Sequence, residues 1–408
     1  MPSIHLSPAR AAAIIAAALI PGGLALPTND QNLDARGFFN FFPELGRMND
    51  VLLFDGLGFQ DPQQNDTLRG NVQAFAHLRQ LPIGPLIRGV SGFIKDEFDL
   101  VVGDNVGRVE ERLRLFAAVG SSEKNVNIKV QGCSAAQSDW GTHLGVTDER
   151  PHSGQILSTF KLGDCGKKDG ELTGRIEIVS DGFFGSGSVR KFENTIFVSP
   201  PDGFGIISDI DDTVKITGTL DKKKLVQTTL LDDPEPVPGM PEVYASLKKS
   251  LTTSAPPAFV YVSGSPFELY PFLRSFIHDK YSESKGPILL QNFTITDIPS
   301  VIDFAKSAGI KEYKSSMIER VQGFYPQKKF LMVGDSTQKD PETYGDAFRK
   351  FGGDFVACIW IRKVEGADNS DQRFETAFKD VPKERIRVYE DKDISSLSSV
   401  DVKGGKCQ

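Results

Sequence analysis

Two aspartates that follow a short apolar run are the feature that most constrains this chain. Phe204–Ser208 has the length and composition of a buried strand, and Asp209 and Asp211 come directly after it. Carboxylates at positions i and i+2 leave a strand end together, so they can hold a divalent cation and divide chemistry between a nucleophile and an acid or base. Taken alone, an Asp-x-Asp pair is more often a turn or a helix cap. The segments that follow it therefore decide its meaning.

The chain after residue 200 alternates between strand and helix patterns. We expect parallel strands at 204–208, 259–263, 291–295, 330–334 and 355–361, with helices near 240–250, 267–278, 313–323 and 343–351. This alternation is typical of an α/β fold with a doubly wound parallel sheet, in which ligands bind beyond the carboxyl ends of the strands. Asp209, Ser263 and Asp335 each lie at such an end. The sequence thus predicts that they converge.

The preceding part of the chain has a different pattern. Short β-type runs predict strands at 51–54, 71–75, 126–130, 155–162, 174–180 and 191–198, and together they suggest a β-sandwich-like domain. Between the second and third runs, residues 81–119 have apolar residues at helical spacing and predict a helical insertion. Its apolar residues could contact lipid, and a helix packed on the sheet edge is the alternative. The candidates for lipid contact are Leu81, Ile83, Leu86, Ile87 and Phe93, beside Arg88 and Lys95.

The chain length and a turn-forming segment suggest the domain organisation. A chain of 408 residues exceeds the usual span of one domain, and two prolines and a glycine within 199–203 mark a boundary. We divide the chain into a signal peptide (1–25), a β-rich domain with the helical insertion (26–200), a catalytic domain (201–392) and a flexible tail (393–408). The formal charge of -7 argues against nucleic acid as a main partner, because phosphate-backbone binding needs a basic surface.

The amino terminus predicts secretion. Arg10 is followed by an apolar run at 11–20 and by small residues at 23–25, as in a cleaved signal peptide. A membrane anchor is the alternative, but the run is shorter than the roughly 20 residues that a spanning helix needs.

The four cysteines fit an oxidising destination. Cys133 and Cys165 lie in one β-rich region and form the expected bridge. For Cys358, in an apolar run, a buried free thiol is the alternative, and Cys407 falls in the predicted tail.

Four segments resemble the motifs of the fungal actin-patch phosphatidate phosphatases, a branch of the haloacid dehalogenase superfamily. They are residues 209–213, residues 262–270, Lys314 and residues 333–342. The resemblance is close in the carboxyl-terminal half and loose in the β-rich half. It implies a haloacid-dehalogenase-like catalytic domain that hydrolyses a lipid phosphomonoester through an aspartyl-phosphate.

The resemblance also implies a role for each matching residue. Asp209 would attack phosphorus, and Asp211 would protonate the leaving alkoxide and later activate water. Thr213 would support the loop geometry. Ser263 would hydrogen-bond a phosphoryl oxygen, and Lys314 would place a positive charge near the transferring group.

The implied cofactor is Mg²⁺, which prefers octahedral coordination by oxygen. Its ligands would be the Asp209 carboxylate, the Asp211 backbone carbonyl and Asp335, and Asp340 would orient a metal-bound water. One position departs from the expected pattern, because Gly264 follows Ser263 where close relatives would carry a polar amide.

Together these features predict a secreted, Mg²⁺-dependent phosphatase that meets phosphatidate or a related lipid at a membrane surface through peripheral contact. Two alternatives stay open: the same chemistry on a soluble phosphomonoester, and a secreted β-sandwich binding protein with an inactive phosphatase-like domain. The sequence identifies no protein partner.

Overall fold

The computed structural model describes residues 49–78, 84–116, 118–120, 125–137, 142–146, 154–178, 190–291 and 309–408. The predicted signal peptide, residues 292–295 of the third predicted strand, and Leu81 and Ile83 of the insertion lie outside these ranges. No helix in the described part of the chain is long and apolar enough to cross a membrane.

The amino-terminal region is built around one hydrogen-bonded sheet. Its described strands are β1 (Asn49–Leu53), β2 (Gly56–Asp61), β3 (Gln64–Leu78), β4 (Val119–Gly120), β5 (Asn125–Val130), β6 (Thr142–Val146), β7 (Gln155–Gly163), β8 (Gly170–Ile178) and β9 (Arg190–Val198). They follow the order β1-β3-β2-β9-β8-β5-β6, and β4 and β7 also pair with the long strand β3. Among these strands, all pairs are antiparallel except β2 with β9. The division into two facing sheets that a β-sandwich requires stays a prediction.

Alternating apolar residues of these strands form the core of this region, including Val72, Ile128 and Ile196. The Cys133–Cys165 disulfide lies in the same core, so the predicted bridge is confirmed.

The insertion is helical, as predicted, but its apolar face is covered. Helix α1 (Gly84–Phe98) and helix α2 (Val106–Leu113) pack on each other and on residues 226–231 of the carboxyl-terminal half. Ile87 is only 8% exposed and Phe93 is half-buried in this cluster. These two residues therefore belong to a core and not to a lipid-facing surface.

The carboxyl-terminal region is built around a parallel sheet. Its described strands are β10 (Phe204–Ser208), β11 (Ala258–Pro266), β12 (Ile288–Gln291), β13 (Lys329–Asp335), β14 (Val356–Arg362) and β15 (Ile386–Tyr389). They follow the order β12-β11-β10-β13-β14-β15. The strand order reverses between β10, the first strand of this sheet along the chain, and β13, its fourth strand. At such a switch point the connections leave in opposite directions, and a crevice opens at the carboxyl ends of the two strands.

Helices cover both faces of this sheet, as a doubly wound fold requires. Helices α4 (Met240–Leu251) and α5 (Tyr270–Lys280) pack on one face, where their side chains meet those of residues such as Ile206 and Val333. Helices α6 (Ile310–Phe324), α7 (Asp340–Phe351) and α8 (Asp371–Ala377) pack on the other face. A short helix, α3 (Lys222–Val226), follows the first strand.

The two regions share an interface with apolar and charged parts. The Phe54 ring lies 4.3 Å from that of Tyr270, and Phe59 stacks on Phe324 at the same centroid distance. Between these contacts, the buried Asp55 carboxylate accepts hydrogen bonds from Arg274 at 2.7 and 3.2 Å. The amino-terminal and carboxyl-terminal regions therefore pack directly against each other.

The carboxyl terminus is packed, which contradicts the predicted flexible tail. Residues Asp391–Ser399 form a 3₁₀ helix, and Leu397 and Cys407 are fully buried. Cys407 forms a disulfide with Cys358 in β14, so Cys358 is not a free thiol. The apolar spacing of this segment anchors it to the sheet despite its position at the end of the sequence.

Candidate active site

The strand order places the predicted residues at one edge. Asp209 follows β10 and donates its backbone N–H to the Val333 carbonyl of β13 at 2.9 Å. Asp335 ends β13, while Ser263 lies in β11 on the other side of β10. Asp340 begins α7, and Lys314 reaches the same edge from α6. The predicted convergence is therefore observed.

Asp209, Asp335 and Asp340 form a buried cluster of three carboxylates, with one ligand oxygen from each lying within 4.8 Å of the others. Lys314 Nζ donates to Asp209 Oδ1 at 2.7 Å and to Asp340 Oδ1 at 2.5 Å. Thr213 Oγ1 lies 3.1 Å from both Asp209 Oδ2 and Asp335 Oδ2. Lys314 and Thr213 thus hold the three carboxylates in one arrangement.

Gly334 explains how the third carboxylate approaches so closely. A Cβ atom at this position would collide with the Asp340 carboxyl group. Asp340 lies in the first turn of α7, where free backbone N–H groups favour a negative charge, and Pro341 fits there because it needs no hydrogen-bond donor. The Gly-Asp pair at the end of β13 is thus a packing requirement as well as a motif.

The electrostatics of this cluster favour a cation. Burial raises the pKa of Asp209 well above its ordinary value, and the Asp340, Asp335 and Asp211 charges act in the same direction against Lys314. Burial and Asp340 raise the pKa of Asp335 to about 7. The neighbouring carboxylates outweigh burial for Lys314 and raise its pKa, which keeps it charged. Three carboxylates face one ammonium, and the oxygen-only donor set suits a divalent cation such as Mg²⁺.

Asp211 points into a separate group of hydroxyls. Its Oδ2 accepts from Ser263 Oγ at 2.8 Å and from Ser265 Oγ at 2.7 Å, and its Oδ1 accepts from Thr217 Oγ1 at 2.8 Å. The Lys215 ammonium lies 3.9 Å from Oδ1. Three hydroxyls therefore fix the Asp211 carboxyl group outside the three-carboxylate cluster. Ser263, expected to contact a phosphoryl oxygen, here contacts Asp211.

Asp212 caps the loop that follows the two aspartates. It adopts φ 56°, and its carboxylate accepts from the backbone N–H groups of Thr217, Gly218 and Thr219 at 2.8–2.9 Å. Although burial raises the pKa of Asp212, these bonds lower it overall. The loop after the two aspartates is thereby folded back over the strand end.

Sequence analysis assigned no site role to Lys215, Thr217 or Ser265. For Lys215 and Thr217, the position just after Asp211 was a weak signal. Ser265 lies in β11, two residues after Ser263. The structure also explains Gly264, since a Cβ atom there would lie 3.0 Å from the side chain of Ile310. The missing polar side chain thus reflects close packing of α6 against β11.

The site is a buried group of carboxylates at the switch point of a parallel α/β sheet. Comparison of the sequence with known proteins identifies relatives of this chain. Residues 204–363 match the family model described as "Phosphatidate phosphatase APP1, catalytic domain". The chain is 32% identical over 165 residues to "Phosphatidate phosphatase APP1" of Saccharomyces cerevisiae, covering 40% of this chain and 26% of that protein. It is 25% identical over 179 residues to "Uncharacterized protein C29B5.04c" of Schizosaccharomyces pombe, covering 43% and 28%.

These matches confirm the resemblance to the APP1-type phosphatidate phosphatases that the motifs predict. The matched segment contains every predicted site residue from Asp209 to Asp340. This chain spans between a quarter and a third of the length of the curated relatives it matches.

Proposed function

We propose that this protein is a Mg²⁺-dependent phosphatidate phosphatase that hydrolyses a lipid phosphomonoester to diacylglycerol and phosphate. The observation that carries the proposal is the pairing of Asp209, held by Lys314 within a buried acidic cluster, with a neighbouring Asp211 that is held by hydroxyls. The match of residues 204–363 to the APP1 catalytic domain supports the substrate class.

In the first step, an Asp209 carboxylate oxygen attacks phosphorus and the phosphorus–oxygen ester bond breaks. The Asp211 carboxyl group donates its proton to the leaving alkoxide, which departs as diacylglycerol. Lys314, which donates to Asp209, places a fixed positive charge where negative charge develops.

In the second step, the aspartyl-phosphate on Asp209 is hydrolysed. Asp211, now a carboxylate, takes a proton from water, and the resulting hydroxide attacks phosphorus. Inorganic phosphate leaves, and Asp209 and Asp211 return to their starting states.

Mg²⁺ bound by Asp209, Asp335 and the Asp211 backbone carbonyl would neutralise the repulsion between the nucleophile and a dianionic ester. Asp340, which lies in the same cluster, would orient a water on the ion. The donor set fits this ion because every candidate ligand atom is an oxygen.

We further propose secretion and peripheral membrane contact. The amino-terminal pattern of residues 1–25 and the two disulfides fit an oxidising compartment. In the described part of the insertion, Val101 is 64% exposed and Val106 is 47% exposed. These two residues replace Ile87 and Phe93 as our candidates for contact with lipid.

The test is phosphate release from phosphatidate in mixed micelles, from glycerol 3-phosphate and from p-nitrophenyl phosphate, with Mg²⁺ or EDTA. We expect the highest kcat/KM on phosphatidate, loss of activity in EDTA and recovery with Mg²⁺. A higher kcat/KM on glycerol 3-phosphate would replace the lipid with a soluble substrate. No release from any ester would favour a binding protein with an inactive phosphatase-like domain.

A further inference from the structure

We propose that Arg112, on helix α2 of the amino-terminal region, is a positioning residue for Asp211. It acts through the Phe272 ring, Lys215 and Thr217, and it lies outside the segment that matches the APP1 catalytic domain. The proposal rests on the proposed function, because it assigns Asp211 the role of general acid.

Arg112 is fixed by contacts to the carboxyl-terminal half. The residue is 7% exposed, and its guanidinium donates to the Thr229 carbonyl at 2.9 Å and to the Asp232 carbonyl at 2.6 Å. Its Cζ lies 4.2 Å from the centroid of the Phe272 ring. A planar guanidinium can bind two carbonyls and stack on a ring at once, which lysine cannot do.

The Thr229 and Asp232 carbonyls belong to a segment that begins at Thr217, next to Asp211. Residues 217–234, which we name the cover segment, lie between two paired residues, Lys215 and Pro236. Gln227–Leu231 of this segment is a π-helical turn, and the last turn of a helix leaves carbonyls without partners inside the helix. Arg112 binds this end of the cover segment, while Thr217 begins the other end.

Lys215 connects the Phe272 ring to the acid. Its Nζ lies 5.6 Å from the ring centroid and donates to Thr217 Oγ1 at 2.8 Å, and Thr217 Oγ1 donates to Asp211 Oδ1 at 2.8 Å. The Lys215 side chain is 1% exposed. Arg112 and Lys215 therefore lie against the same Phe272 ring.

The contacts of Arg112 with the cover segment and with the Phe272 ring lead to the same expectation. Without Arg112, the cover segment and the Phe272 ring lose their common support, so Lys215 and Thr217 no longer fix the Asp211 carboxyl group. A displaced acid slows cleavage when the leaving group needs a proton, as an alkoxide does. It has little effect on p-nitrophenolate, which is stable as an anion.

The experiment compares kcat/KM for dioctanoyl phosphatidate, an alkyl ester, with kcat/KM for p-nitrophenyl phosphate. Each kcat/KM value reports formation of the aspartyl-phosphate and excludes the later hydrolysis step. For Arg112→Ala we expect kcat/KM to fall about 10- to 100-fold on the alkyl ester, mainly through kcat, and less than about threefold on the aryl ester. Arg112→Lys should retain part of the activity, and Lys215→Met should reproduce the preference for the aryl ester.

Arg108→Ala is the matched control. Arg108 lies one turn earlier on α2 and binds the same cover segment, through the Leu231 carbonyl and through Asp233 at 2.8 Å. Among the described residues, only the Arg112 and Lys215 cations lie over the Phe272 ring. For Arg108→Ala we therefore expect the ratio of the two kcat/KM values to stay within about twofold of the wild-type ratio.

Equal losses on both esters for Arg112→Ala and Lys215→Met would overturn the proposal and leave Arg112 a structural residue. If Arg112→Ala does not fold, Arg112→Lys and Lys215→Met decide by the same criterion. If the wild-type protein cleaves glycerol 3-phosphate but not phosphatidate, the proposed lipid substrate fails, and glycerol 3-phosphate serves as the alkyl ester. A wild-type protein inactive on every ester would overturn both proposals.

Discussion

The Glu268 carboxyl group should make the protein less stable as the pH rises. Glu268 lies in the 3₁₀ turn Phe267–Leu269 between β11 and α5, and it is 7% exposed. Its Oε2 has no hydrogen-bond partner among the described residues. Burial raises the pKa of Glu268 from 4.5 to about 8, so the folded protein keeps this proton at neutral pH.

The sign and size of the effect follow from proton binding. Between the two pKa values the unfolded chain has released the proton and the folded protein still holds it, so the free energy of unfolding falls as the pH rises. At 1.36 kcal/mol per pKa unit, the loss across this window is about 5 kcal/mol. The contribution of Glu268 to the free energy of unfolding is fully present below pH 4.5 and is lost as the pH rises through 8.

Glu268→Gln preserves the shape and cannot ionise. We expect the variant to exceed the wild type in free energy of unfolding by about 3 to 5 kcal/mol at pH 8.5, and to match it within about 1 kcal/mol near pH 4.5. Urea unfolding at several pH values, followed by tryptophan fluorescence, measures the difference. Glu375→Gln, at an exposed position of α8, is the control. Identical pH dependence of the wild type and Glu268→Gln would refute the reasoning.

Two further predictions concern the carboxyl terminus and the insertion. Replacing Cys358 and Cys407 by alanine opens a loop closed over 49 residues, so chemical denaturation should show a loss of about 4 kcal/mol; an unchanged urea midpoint would contradict this. Val101→Asp and Val106→Asp should weaken sedimentation with phosphatidate-containing vesicles, whereas Leu157→Asp, at a similarly exposed position of β7, should not. Equal binding by all three variants would exclude the two valines as a lipid contact.

The convergence of the acidic residues was predictable because parallel strands end at one edge of a sheet. Asp209 and Asp335 each follow an apolar run, and their positions relative to β10 and β13 needed only the strand pattern. Lys314 was less predictable, since a lysine on a helix is usually exposed. The resemblance identified it, and its two carboxylate contacts explain its burial.

The remaining contacts depend on packing between distant segments. Arg112 reaches the cover segment across more than one hundred residues of sequence, and no local pattern marks such a contact. The apolar face containing Ile87 was visible as a helical periodicity, but periodicity does not say whether lipid or protein covers that face. The Cys358–Cys407 bridge was missed because Cys407 was assigned to a flexible tail.

The nucleophile is the central claim, and phosphate release from phosphatidate by Asp209→Asn tests it most directly. With Mg²⁺ present, the initial rate should fall at least about 1,000-fold relative to the wild type, because the amide oxygen cannot attack phosphorus. The thermal midpoint in EDTA should not fall, because the substitution removes one of three buried carboxylates that repel one another. A folded Asp209→Asn variant that keeps more than about a tenth of the wild-type rate would contradict the aspartyl-phosphate mechanism.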